Sequence, residues 1–182
     1  MLETRTEMGF TRTECACAEC ALNCHYIPGY LIPADLEAIA GRLGFTNLVN
    51  FAMENLLASP GATVIVDGKM SQIPTLVPNR RPDGACQFLD QNNRCSIHAV
   101  SPYGCAFFDC HQSRREADTR SCRGLQAIAQ EWTAGGLYAR IWIILHAAGL
   151  QAQSPITARA RLKEALETHH YPVPRAQATP QE

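Results

Sequence analysis

Cys15-Ala-Cys17-Ala-Glu-Cys20-Ala-Leu-Asn-Cys24 is the stretch that organises everything after it, and Cys86, Cys95, Cys105, Cys110 and Cys122 answer it from further along the chain. Some sixty residues without cysteine separate the two clusters, and no cysteine follows Cys122. Nine cysteines are an odd number and are too clustered for chance. Two distant clusters of one residue type imply a fold that folds back on itself, bringing both around a common centre. Thiolates bind soft or borderline metals, because sulfur gives up charge readily and the metal in turn lowers the thiol pKa.

The compartment expected from the sequence points the same way. Residues 1–10 carry Glu3, Arg5 and Glu7 and lack the apolar run of a secretory signal. The longest apolar stretch, 137–150, contains Arg140 and His146 and is too short to span a bilayer. The expectation is a cytoplasmic protein with no membrane partner, in which disulfides are disfavoured and metal binding accounts for the thiols. The formal net charge of −1, from 16 Lys and Arg against 17 Asp and Glu, gives no electrostatic reason to expect a nucleic-acid partner. A protein partner stays open. At 182 residues one core can bury ~70% of the unfolded chain's surface, so the thiols are not needed simply to make the chain fold.

Between the clusters, Pro33-Ala-Asp35 opens a helix over 36–43 with Leu36, Ile39, Ala40 and Leu43 on one face. A second helix is expected over 47–58 and stopped by Pro60-Gly61. Then come a β-branched strand over 62–66, an Asp67-Gly68 turn and a weaker strand over 72–77, which Pro74 and Pro78 keep at an edge. Residues 79–111 read as loop and short strand. Helices follow over 125–133 and 137–148, the latter nearly apolar all round and therefore expected to be buried. Pro155 opens a last helix over 156–167, with Ile156, Ala160, Leu162 and Leu166 inward. The fold class is α+β and mostly helical, with an irregular cysteine-rich metal-binding half packed on a helical carboxyl-terminal half. Its parts are an N-terminal extension (1–13), a cysteine-cluster metal-binding domain (14–125), a helical continuation of that domain (126–170) and a proline-rich tail (171–182) that reads as disordered.

The spacing narrows the ligands more than the metal. Cys17-x2-Cys20, Cys20-x3-Cys24 and Cys105-x4-Cys110 can each converge on one ion across a tight turn, whereas Cys86, Cys95 and Cys122 need tertiary structure to join them. A four-cysteine zinc ribbon would show two C-x2-C pairs, and only one is present. The first run approaches the ferredoxin pattern C-x2-C-x2-C-x3-C-P but misses its first interval and has His25 in place of proline. The candidate metal ligands are Cys17, Cys20, Cys24, Cys86, Cys95, Cys105, Cys110 and Cys122. Cys15 reads equally well as a spare surface thiol. His25, His98 and His111 read as hydrogen-bonding neighbours, His146 as a core histidine, and His169-His170 as complements to a helix end. Arg80-Arg81 and Arg114-Arg115 read as solvated faces. Asp90, Asp109 and Glu116 are the acids nearest the cysteines, but nothing pairs them as an acid and base, so no catalytic residues are assigned.

The segments Cys17-Ala-Glu-Cys20-Ala-Leu-Asn-Cys24, Cys86-Gln-Phe-Leu-Asp90, Arg94-Cys95-Ser-Ile-His98 and Pro102-Tyr-Gly-Cys105 resemble the YkgJ-type cysteine-cluster family. Its pattern runs C-x2-C-x2-C-C, then C-x-x-L, then C-S-I-Y-x-x-R-P-x-x-C-R and a further cysteine, which Cys122 matches. The resemblance covers about residues 14–125 and implies a zinc- or iron-chelating domain, or an iron–sulfur protein with a 4Fe-4S cluster. Asn23 stands where the first cysteine of the C-C pair belongs, and Cys15 and Cys110 are additions. Ser101 and Ala106 replace two arginines, and His98 replaces the tyrosine. Flagellin lysine N-methylases carry a similar cluster, which implies an iron–sulfur-dependent protein methyltransferase as one alternative. A zinc-stabilised interaction module is another. The chain shows no glycine-rich strand–helix loop for a nucleotide-like cofactor, which leans against an enzyme.

Overall fold

The computed structural model describes residues 9–10, 18–66 and 69–168. Cys15, Cys17, the Asp67-Gly68 turn, His169-His170 and the 171–182 tail lie outside the described residues. Their order is α1 (Ala18–Tyr26), α2 (Pro33–Arg42), α3 (Leu48–Asn55), β1 (Leu56–Val66), β2 (Lys69–Pro78), a 3-10 turn at His98–Val100, the one-turn helix α4 (Tyr103–Ala106), α5 (Arg114–Ala134), α6 (Leu137–Ala147) and α7 (Pro155–Thr168). The class is mostly helical α+β, with one two-stranded antiparallel sheet.

Several elements depart from the sequence reading, each for a local reason. The helix expected over 47–58 ends at Asn55. The Asn47 side chain caps its start by accepting from the Val49 and Asn50 N–H groups at 2.9 and 3.0 Å. Residues 56–59 are already strand, paired from Leu56↔Pro78 to Ser59↔Thr75. Ala58 also donates to the Leu150 carbonyl at 2.8 Å and accepts from the Ala152 N–H at 2.9 Å, so its backbone is saturated as sheet. Pro60-Gly61 therefore stops no helix. It sits where the register shifts between Ser59 and Ala62, with Gly61 at φ 79°, a bulge of the kind only glycine takes up easily.

The helix expected to begin at residue 125 begins at Arg114. Ser113 and Glu116 form a reciprocal capping box, with Glu116 Oε2 accepting from the Ser113 N–H at 2.9 Å and Ser113 Oγ accepting from the Glu116 N–H at 3.3 Å. Cys122 is thereby a helical residue. Nor is α6 buried all round, because Ile143 and Ile144 are 54% and 40% exposed. In α7 the inward positions are Ala158 and Ala165, with Leu162 half-buried, while Ile156 is 78% exposed.

The core is built from α2, α3, the base of the hairpin, α5 and α6, with Ile39, Phe51, Leu56, Leu76, Ile128, Ile141 and Leu145 all sealed. Two buried polar groups lock the cysteine-bearing segments onto it. The Tyr138 hydroxyl on α6 donates to the Leu31 carbonyl and accepts from the Leu76 N–H, both at 2.7 Å. Asp35 Oδ2 on α2 accepts from the Ile32 N–H at 3.0 Å and the Tyr103 N–H at 2.7 Å, which caps α2 and α4 with one carboxylate. Among the described residues, no helix is long and apolar enough to cross a membrane.

Candidate metal centre

The first cluster is delivered by α1, which carries Cys20 and Cys24 one turn apart. The chain then runs extended through Gly29 and Tyr30 and crosses directly over α4. There the backbones nearly touch: the Gly104 N–H donates to the Tyr30 carbonyl at 2.9 Å, and a Cβ on Gly104 would stand 2.5 Å from the Tyr30 nitrogen. The Gly29 N–H donates to Cys105 Sγ at 3.3 Å. The Cys86 N–H donates to the Cys24 carbonyl at 2.7 Å, and Arg80 bridges from the Tyr26 carbonyl at 2.7 Å to the Gly84 carbonyl at 3.1 Å. These bonds, each spanning more than fifty residues except the last, bring the two clusters together.

Cys86 and Cys95 each close a tight loop that an aspartate holds in shape. Asp83 Oδ1 accepts from the Ala85 N–H at 3.0 Å, and Asp90 Oδ1 accepts from the Asn92 and Arg94 N–H groups, both at 2.8 Å. Asn93 takes up φ 56°, which asparagine tolerates. The chain is bridged across each loop, Arg80 to Cys86 and Leu89 to Cys95. Arg80 and Arg81 are thus structural ties, not the solvated face expected of them: Arg81 Nη1 donates to the Leu89 carbonyl at 2.8 Å and Nη2 pairs with Asp83 at 3.0 Å. Arg114 and Arg115 are exposed as expected.

Cys24, Cys86, Cys95 and Cys105 consequently share one neighbourhood. Burial pushes the Cys24 thiol up to about 11, and the nearby Cys95 pushes in the same direction. Burial pushes Cys86 up to about 12, with Cys24 and Cys95 adding to it, while a Phe88 backbone hydrogen bond and the Arg80 guanidinium pull the other way. Cys105 is raised well above its ordinary value, first by burial and then by Cys24, Cys86 and Cys95, against the pull of the Gly29 N–H. A group of thiols that repel one another as anions, but meet N–H donors and a guanidinium, is what a cation would complete. Among the described residues, no three Cys, His, Asp or Glu side chains are already set to hold a single ion.

Cys20 and Cys110 face one another with sulfurs 3.5 Å apart. Cys122 is exposed on α5. Cys17 lies outside the described residues. His25 spans 3.1 Å to Asn93 Oδ1, steadying the Cys95 loop as a hydrogen-bonding neighbour, while His98 and His111 are exposed. His146 is not a core histidine but an exposed one stacked on Trp142, ring centroids 4.8 Å apart. The sequence reading missed the contributions of Gly29, Asp83, Asp90 and Arg80. Asp83-Gly84 and Asp90-x2-Asn93 were available as turn signals, but Gly29 carried none.

Comparison with protein-family models matches residues 16–123 to the CxxCxxCC family, described as "Putative zinc- or iron-chelating domain". The chain belongs to this family. Comparison with curated proteins and with solved structures gave no match. Membership in the CxxCxxCC family makes metal binding the activity of the cysteine-rich half, with zinc or iron as the metal. Its matched span contains all four of the thiols that the fold gathers.

A pH prediction follows from these thiols. In the metal-free fold Cys24 and Cys86 hold their protons to about 11 and about 12, against 9.0 ordinarily. Their contribution to stability is therefore complete below pH 9 and is lost as the pH climbs through 11 and 12. Metal ligation needs the thiolates, so the metal-loaded protein fails in the opposite direction, as acid returns protons to the ligands. Urea titrations across pH should show metal-free protein weakening above pH 9 and loaded protein weakening on the acid side. A metal-free stability that stays flat through the alkaline range would contradict this burial of the thiols.

Proposed function

We propose that the protein binds an iron–sulfur cluster, with Cys24, Cys86, Cys95 and Cys105 as its ligands, in a structural or electron-transfer role. The observation that carries this reading is the gathering of these four thiols from α1, two loops and α4 into one electrostatic neighbourhood. Iron–sulfur clusters are held by four cysteine thiolates, and N–H donors to their sulfurs tune the potential. The Gly29 N–H on Cys105 and the Phe88 N–H on Cys86 are such donors. No two of the four are spaced as the C-x2-C knuckle of a zinc ribbon. The cluster would supply one-electron chemistry or a cross-link, while the chain's own residues position the thiolates and shield them from water. No feature of the described residues favours the methyltransferase alternative.

Protein prepared without oxygen should be brown and contain iron together with acid-labile sulfide. A colourless preparation with stoichiometric zinc and no sulfide would overturn the cluster and leave a zinc-stabilised interaction module.

A further inference from the structure

Two guanidinium groups converge on Gly84, two residues before Cys86. Arg80 Nη1 donates to the Gly84 carbonyl at 3.1 Å, and Arg161 of α7 places Nη2 3.7 Å from where a Cβ on Gly84 would stand. Arg80 Nη2 donates to the Tyr26 carbonyl at 2.7 Å, but its buried Nε–H has no hydrogen-bond partner among the described residues. Burial weighs against the Arg80 charge first and the Arg161 guanidinium next, while Cys86 favours it. Asp83, the neighbouring carboxylate, is already taken by Arg81 Nη2 at 3.0 Å. A half-buried cation with a donor to spare and a second cation beside it is costly unless an anion stands near. A protonated thiol at Cys86 brings no charge to balance the pair. Four thiolates around a divalent ion, or around a doubly charged cluster core, leave a net double negative charge that does.

We infer that Arg80 and Arg161 are the built-in counter-charge of the four-thiol centre, positioning residues that favour its loaded, anionic form through charge and not as ligands. The inference rests on the shared centre proposed above, but not on whether iron or zinc fills it. Arg161 lies beyond residues 16–123, so α7 serves the centre although the chelating-family match ends before it. Arg80 is half-buried, and salt screens its effect little. Arg161 is exposed, and its share fades as salt rises.

The test strips the full chain of metal without oxygen and titrates it with cobalt(II) against a competing chelator, following the thiolate-to-cobalt absorption bands. Arg80→Gln and Arg80→Lys both lose the fork that ties the Tyr26 and Gly84 carbonyls, and only lysine keeps the charge. Arg80→Gln should weaken cobalt binding about tenfold or more at low and high salt alike, while Arg80→Lys keeps most of the affinity. Arg161→Gln, a surface change that leaves the core alone, should weaken binding severalfold at low salt and not at high salt. Equal losses in Arg80→Lys and Arg80→Gln would make Arg80 a structural tie alone and overturn the inference. So would Arg161→Gln protein that binds cobalt as tightly as the wild type at low salt. Wild-type protein without thiolate bands would overturn the four-thiol centre itself, and the inference with it. Iron and sulfide content, measured separately, judges the cluster.

Discussion

Gly29→Ala is expected to lose most of its metal and to melt far below the wild type. The new Cβ would fall on the Gly104 carbonyl group and stand 2.5 Å from the Cys105 nitrogen, so backbone meets backbone with no flexible side chain to yield. Overpacking costs ~1–3 kcal/mol where neighbours can adjust, and this position should reach or pass the top of that range. Any relief must push the Gly29–Tyr30 segment away from α4. That would break the Gly29 N–H to Cys105 Sγ bond and the Gly104 N–H to Tyr30 carbonyl bond together. Gly41→Ala is the matched control. It lies within α2 with nothing within 4 Å of the added atom, and replacing a helical glycine should leave stability unchanged or raise it by up to ~1 kcal/mol. Urea melts and metal analysis on the two variants would settle the point. If Gly29→Ala kept wild-type stability and metal, the crossing would not be what joins the clusters.

That crossing also marks where reading the sequence stops. Periodicity found α2 because Leu36, Ile39 and Ala40 recur at helical spacing, and all three are buried. It found the hairpin because the strand residues are β-branched. It misjudged α3 and β1 because the ladder to Leu76–Pro78 and the bonds to Leu150 and Ala152 are tertiary, and they override a helical pattern. The start of α5 was readable in Ser113-Arg-Arg-Glu116, a capping signal hidden by the polar surface of the helix's first three turns. The candidate ligands were visible as a set but not as groups. That Cys24 joins Cys86, Cys95 and Cys105 while Cys20, on the same face, meets Cys110 depends on which turn of α1 meets which loop, and no spacing rule encodes this.

The largest effect of all should come from the four gathered thiols, because a metal bound only by the folded chain adds its binding free energy to folding. Structural zinc in zinc-finger peptides contributes ~10–16 kcal/mol in this way. Here the core of α2, α3, α5 and α6 carries its own share, so metal loss should lower stability steeply without abolishing the fold. Removing one ligand of four should forfeit most of the metal's contribution. A serine at Cys105 also takes away the sulfur that the Gly29 N–H bonds, and a serine at Cys24 removes a thiol from the helix that Cys86 is tied to. The direct test is metal content per chain in Cys24→Ser, Cys86→Ser, Cys95→Ser and Cys105→Ser, each prepared without oxygen. One shared centre predicts that all four lose nearly all of the metal, although Cys24 and Cys105 are far apart in sequence. If any of the four kept the wild-type amount, or if Cys24→Ser lost one share of the metal and Cys105→Ser another, the four thiols would not form one centre.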